Sequence, residues 1–200
     1  MLAVEKRVTS TLLEPSSIEK IMEVDSHLAC AMSGLTADAR TLIDHGRVEA
    51  QNHRFSYNEP LPLESASQAL CDLALRFGES GEDDDAAMSR PFGVALLLAG
   101  CDPVSGAGLY HADPSGTSTR VDAKAIGAGS EGAQSMLQEQ YRKDMSLDEA
   151  ATLALTTLKA VMEEKISASN VDIATVAPTY KLFTQAEVQA VIDSISAAAV

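Results

Sequence analysis

Apolar and polar residues alternate along residues 18–25: Ile18, Lys20, Met22 and Val24 fall on one face, Glu19, Ile21, Glu23 and Asp25 on the other. That period of two predicts a strand. Residues 27–32 are more continuously apolar and follow an Asp25-Ser26 turn, so the two segments predict a hairpin. Residues 2–8 predict an earlier strand, separated from it by a Pro15-Ser16-Ser17 turn.

The period then lengthens. Ala39, Leu42, Ile43, Gly46 and Ala50 recur at helical spacing, with Arg40 and Asp44 able to pair on the wet side. The segment 57–62 carries two prolines and stops that helix. Leu63, Ala66, Leu70, Leu73, Ala74 and Phe77 define a second amphipathic helix. Residues 78–87 are acidic and weakly apolar, as expected of an exposed loop. Residues 92–100 form an apolar run, the mark of a strand covered on both faces. A turn at 106–108, a strand at 109–112, an Asp113-Pro-Ser-Gly116 turn and a strand at 117–126 complete an expected meander.

Two further helices follow, the first with Ser130 as candidate N-cap and an Ala133, Met136, Leu137, Tyr141 stripe. The second opens on the Ser146/Glu149 capping box and predicts a buried face of Ala150, Ala154, Leu158 and Val161. Strands at 171–176 and 180–183, broken by Pro178, precede a capping box at Thr184/Glu187. The last helix has the stripe Val188, Val191, Ile192, Ile195. Strand and helix blocks are segregated, which predicts an α+β fold. Two helix groups and two strand groups suit a four-layer α-β-β-α sandwich. With no internal repeat and no linker, residues 1–200 are expected to form one domain.

Composition narrows the function. The chain of 200 residues is 46% hydrophobic, enough for a packed core. A formal net charge of −14 without any basic stripe argues against nucleic-acid binding. No run approaches the about 18 apolar residues of a membrane span, and the first ten residues lack the pattern of a secretory signal. Cys30, Cys71 and Cys101 are odd in number and far apart, so buried thiols in a reducing compartment are expected. His27, His45, His53 and His111 show no metal-ligand spacing, so neither metal nor cofactor is expected.

Several blocks carry a resemblance. Leu2-Ala-Val-Glu-Lys-Arg7, Pro15-Ser-Ser-Ile-Glu-Lys-Ile21 and Ala31-Met-Ser-Gly-Leu-Thr-Ala-Asp-Ala-Arg40 resemble consecutive blocks of proteasome alpha subunits. So do Ser89-Arg-Pro-Phe-Gly-Val-Ala-Leu96, Asp113-Pro-Ser-Gly-Thr117 and Ala125-Ile-Gly-Ala-Gly-Ser-Glu-Gly-Ala133. Arg47-Val-Glu-Ala-Gln-Asn-His53 with Glu131-Gly-Ala-Gln134 looks most like the alpha type-5 branch. The resemblance implies the sandwich of N-terminal nucleophile hydrolases. It also implies a ring with other alpha subunits, stacked on beta subunits that hold the active sites, in the cytoplasm and nucleus. The family normally carries a Tyr-Asp-Arg segment, a helix and a first strand ahead of the Leu2 block. The expected fold therefore lacks that helix and strand, with weaker ring assembly and lower stability.

The related beta subunits attack with an N-terminal threonine. This sequence starts Met1-Leu2, places Glu5 where they carry an aspartate, and aligns only Lys20 and Ser130 with their lysine and one of their serines. Their further Asp and Ser, near Asn170, are not recognisable. No catalytic residue is expected, and the alternative is an active or self-processing hydrolase of the same fold. A free-standing binding module is a third reading. In alpha subunits the lysine and Gly-Leu matching Lys20, Gly34 and Leu35 line pockets that receive the C-terminal tails of regulatory ATPases or activators. The resemblance implies that Lys20 pairs with a tail carboxylate while Gly34 and Leu35 contact the tail. A helix start beside an ammonium suits a carboxylate on physical grounds as well.

Overall fold

A computed structural model of the chain describes residues 1–7, 10, 12–77 and 90–198. Strand β1 (Leu2–Glu5) is followed by a 3-10 turn at Pro15–Ser17. The hairpin β2 (Ile21–Asp25) and β3 (Leu28–Gly34) comes next, then helices α1 (Thr36–Tyr57) and α2 (Leu63–Leu75). The meander β4 (Val94–Asp102), β5 (Gly106–Ala112) and β6 (Ser118–Arg120) leads to α3 (Ser130–Gln140) and α4 (Leu147–Val161). Strands β7 (Val171–Val176) and β8 (Tyr180–Leu182) and helix α5 (Gln185–Ala198) close the order.

All pairings are antiparallel and form two sheets, β2-β3-β4-β5-β6 and β1-β7-β8. Helices α1 and α2 cover the outer face of the larger sheet, burying Met22, Val24, Leu28, Leu42, Ile43, Leu70 and Leu96 together. Ile21, Ala29, Ala31 and Ala99 face Leu2, Val4 and Val176 across the gap between the sheets. Helices α4 and α5 cover the smaller sheet through Leu155, Ile173, Val188 and Ile195. The α-β-β-α sandwich is therefore the observed architecture. Successive residues of β2 and β3 are buried on opposite faces, which explains why 27–32 reads as nearly continuous apolar sequence.

Several boundaries differ from the sequence reading, each for a local reason. β2 begins at Ile21, leaving Lys20 just ahead of it, although the Lys20 carbonyl still accepts the Met32 N–H at 3.0 Å. The β4–β5 turn lies at 103–105, not 106–108. Asp102 accepts the Val104 and Ser105 N–H groups and folds the chain back early, with Gly106 at φ 70° where the left-handed conformation favours glycine. β6 has three residues, Ser118, Thr119 and Arg120, paired with Ala112, His111 and Tyr110, and one further bond, from the Val121 N–H to the Leu109 carbonyl at 2.9 Å, follows it. Ser130 is the first residue inside α3, and Gly129 holds the cap position.

The buried face of α4 is Ala151, Leu153, Leu155 and Thr157, because α4 is packed from several sides, by β1, α3 and α5. Its capping box is present as expected, as is that of α5, where Thr184 and Glu187 exchange bonds. Arg47, three residues on, takes Asp44 in place of Arg40. Phe77 lies beyond the end of α2 and is exposed. The expected loop at 78–87 lies outside the described residues. Cys30 and Cys71 are buried as expected, whereas Cys101 is only partly so; all three are free thiols.

Candidate functional site

Lys20 precedes β2 and its carbonyl accepts the Met32 N–H, while Gly34 ends β3 two residues further on and Leu35 follows it at the start of α1. Ile21 pairs with Ala31 in the β2–β3 ladder, so Lys20 stands beside the strand that ends at Gly34. The half-buried Lys20 crosses from the larger sheet toward the smaller one, and its Nζ donates to the Glu5 carbonyl at 2.8 Å. Lysine has three N–H donors, so this bond leaves capacity for an anion. The next residue after Glu5 is anchored differently. Lys6 is buried, its ammonium 2.8 Å from Asp172 and its N–H bonded to the Asn170 carbonyl. The two lysines are thus unequal: one is matched by a carboxylate, the other by a neutral carbonyl.

Gly34 leaves β3 at φ 133°, a conformation that L side chains rarely adopt. A methyl group on it would lie 2.3 Å from the Gly93 carbonyl oxygen, so only glycine fits. That oxygen accepts the Leu35 N–H at 2.9 Å. Leu35 is the residue before α1 and supplies no capping side chain. The first N–H groups of a helix have no intrahelical partner. At α1 they open beside an apolar side chain that is 52% exposed.

Asp38, in the first turn of α1, holds this corner together. Its Oδ2 accepts the Gly93 N–H at 2.8 Å, and its two oxygens receive Arg90 Nη1 and Nη2 at 2.8 and 2.9 Å. The Arg90 guanidinium, followed by the Gly93 N–H, keeps the Asp38 carboxyl below the usual carboxylate range, and the same pairing raises Arg90. Sequence reasoning named the flanking blocks but not these roles. The signal was available: Asp38 is an acidic residue adjoining the apolar stripe of Ala39, Leu42 and Ile43, and a buried carboxylate there requires a cation.

The other positions compared with catalytic ones are occupied in structural contacts. Glu5 is engaged through its backbone by Lys20. Asn170 accepts the Ser167 N–H, donates to the Lys165 carbonyl and receives Lys6 through its own carbonyl, which ties the turn before β7. Ser130 sits at the start of α3, three residues after Gly127, which packs near the Ser33 hydroxyl. Burial raises both the Cys30 and Cys71 thiols, disfavouring their thiolates.

Comparison with known proteins adds a family to this geometry. A family model described as proteasome subunit matches residues 1–176. The chain is 58% identical over 198 residues to proteasome subunit alpha type-5 of Dictyostelium discoideum, covering 98% of this chain and 82% of that protein. It is 55% identical over 199 residues to proteasome subunit alpha type-5 of Drosophila melanogaster, covering 98% and 81%. With a probable proteasome subunit alpha type-5 of Schizosaccharomyces pombe it shares 58% identity over 176 residues, or 88% and 71% of the two chains.

Proposed function

The chain belongs to the proteasome subunit family, and on that premise we propose that it is a non-catalytic alpha-ring subunit of the 20S core particle. The observation that carries this reading is the identity to alpha type-5 proteins over nearly its whole length. Its work is to build a ring with other alpha subunits, to stack on beta subunits, and to contribute to the gate and the docking face in ubiquitin-dependent degradation. The relatives' names do not favour the alternative of an active hydrolase. The same proposal puts the assembled particle in the cytoplasm and nucleus, and three unpaired cysteines are compatible with that.

Within the ring, Lys20, Gly34 and Leu35 form this subunit's share of a pocket for the C-terminal tails of regulatory ATPases or activators. The support is physical. Among the described residues Lys20 offers a cation tied to a carbonyl and to no carboxylate, and the start of α1, without a capping side chain, follows the end of the neighbouring strand. The exposed Leu35 side chain gives the tail apolar contact. A carboxylate at such a corner gains from both the helix dipole and a charge-assisted bond.

Two experiments test the reading. Co-expression with the other core subunits should place the chain in seven-membered rings by native mass measurement or electron microscopy; persistent exclusion from rings defeats it. In assembled particles, Lys20→Ala should weaken tail-peptide binding by roughly 1.5–3 kcal/mol, the range for a hydrogen bond to a charged group. Unchanged affinity removes Lys20 from the pocket.

A further inference from the structure

The tail pocket carries a complication that the three residues themselves do not resolve. A carboxylate, Asp38, stands two residues into α1, beside the N–H groups that would receive the tail. An unpaired negative charge there would repel an incoming carboxylate, and it could turn back to satisfy those N–H groups itself. Asp38 does neither. Both of its oxygens are held by Arg90, and one of them also by the Gly93 N–H. Arg90 bonds in addition to the Pro91 carbonyl at 2.9 Å, which fixes the chain just before Gly93. Gly93 in turn receives the Leu35 N–H and lies against both Gly34 and the Leu35 side chain. The Arg90 side chain remains 58% exposed, so its charge is also felt at the surface.

We propose that Arg90 is a positioning residue of the tail pocket: it neutralises Asp38 and holds Gly93 against Gly34 and Leu35, so that the α1 start stays open to a carboxylate. This rests on the tail-docking reading above and adds to it a residue from the strand side of the corner. Arg90 acts through Asp38 and Gly93, not by touching the tail.

The test compares two fluorescent peptides on assembled core particles, measured by anisotropy. Both copy the last ten residues of a regulatory ATPase subunit, one with a free carboxyl and one amidated. Arg90→Ala should weaken the free-carboxyl peptide about tenfold, the size of one charge-assisted contact, and leave the amidated peptide within about twofold. Arg90→Lys should recover most of the loss by restoring charge. Adding Asp38→Asn to Arg90→Ala should recover part of it by removing the unpaired carboxylate, a gain that simple loss of structure would not give. The proposal is overturned if Arg90→Ala leaves the free-carboxyl peptide unaffected, weakens both peptides alike, or is not improved by Asp38→Asn. Lys20→Ala in the same assay separates the two ideas. If Lys20→Ala abolishes the preference for the free carboxyl and Arg90→Ala does not, only the role of Arg90 falls. If unsubstituted particles show no such preference, the tail reading and this inference fall together.

Discussion

Helices α1 and α2 lie side by side on the five-stranded sheet, and neither begins with a capping side chain: Leu35 precedes one and Pro62 the other. The two starts are nevertheless finished in opposite ways. At α2 a carboxylate arrives from a distant strand. Asp102, at the end of β4 and only 3% exposed, accepts the Leu63 N–H at 3.2 Å. The same carboxylate receives the Ser105 hydroxyl, the Ser105 N–H and the Val104 N–H, so one side chain closes both the helix start and the β4–β5 turn. At α1 the nearby carboxylate, Asp38, is drawn away by Arg90 and Gly93, and Leu35 at the cap position supplies no side-chain bond to the helix start. A helix start that only has to be stable is sealed. On the proposed docking role, α1 keeps its donors free for an anion, and the fold then needs another way to hold the corner.

The contrast is broken most severely at the sealed end. Asp102→Ala strands the buried Leu63 N–H and removes the shared acceptor of two N–H groups and a hydroxyl in the exposed turn at 103–105. Urea unfolding should show a loss of about 3–4 kcal/mol, from bonds to a charged acceptor that act as one unit. A loss under 1 kcal/mol would mean that α2 does not depend on this distant cap.

At the open end the corner is held by backbone fit instead. Gly34→Ala forces a methyl group to within van der Waals clash of the Gly93 carbonyl at a positive φ, and should cost about 2–3 kcal/mol. Gly106→Ala is the control. Its φ is also positive, but nothing lies near its Cβ position, so the cost should stay near 1 kcal/mol. Equal losses at the two sites would show that the Gly34–Gly93 contact adds nothing.

The sealed end should also be visible in pH. Burial raises the Asp102 carboxyl, but the Ser105 hydroxyl and N–H and the Leu63 and Val104 N–H groups outweigh it and bring it down to about 2. A carboxyl lower in the folded than in the unfolded chain stabilises the fold fully above the unfolded value of about 4. That stabilisation is lost as pH falls toward 2. The stability difference between the unsubstituted chain and Asp102→Asn should therefore be constant above pH 5 and shrink between pH 4 and 2. A difference independent of pH would exclude a charged Asp102 as the cap. Other depressed carboxyls, such as Asp113 and Glu187, cancel in the comparison.

How much of this was legible beforehand follows from where the information lies. The helices with local caps, α4 and α5, could be read because the Ser146/Glu149 and Thr184/Glu187 pairs are three residues apart. The hairpin and the apolar run of β4 were equally plain, since both periodicity and burial are local properties. Lys20, Gly34 and Leu35 were reached through resemblance; Lys20 lies beside Met32, two residues before Gly34 on the neighbouring strand. The partners that give that corner its properties, Asp38 with Arg90 and Gly93, are more than fifty residues apart. The cap of α2 comes from 39 residues away. No window of sequence contains such pairs. The turn at 103–105 was misplaced for a related reason: glycines at 106 and 108 are the obvious breakers, whereas the turn is made by the side chain of Asp102.

The smallest expected effect sharpens the contrast by turning one helix start into the other. Leu35 has extended backbone angles, φ −74° and ψ 113°, which suit a capping side chain. Leu35→Asp would place a carboxylate within reach of the free N–H groups of α1, and would also favour the positive end of the helix dipole. The gain from a new cap is about 1 kcal/mol, set against partial loss of the Leu35 contact with Gly93, so the melting temperature should rise slightly or hold. Tail peptides with a free carboxyl should then bind worst of all the variants, because the substituted chain supplies its own anion. A variant that is more stable yet unable to dock would show that the missing cap at α1 is kept for function. A variant that is markedly less stable would show instead that the Leu35–Gly93 contact, and not the open donors, is what this corner is built around.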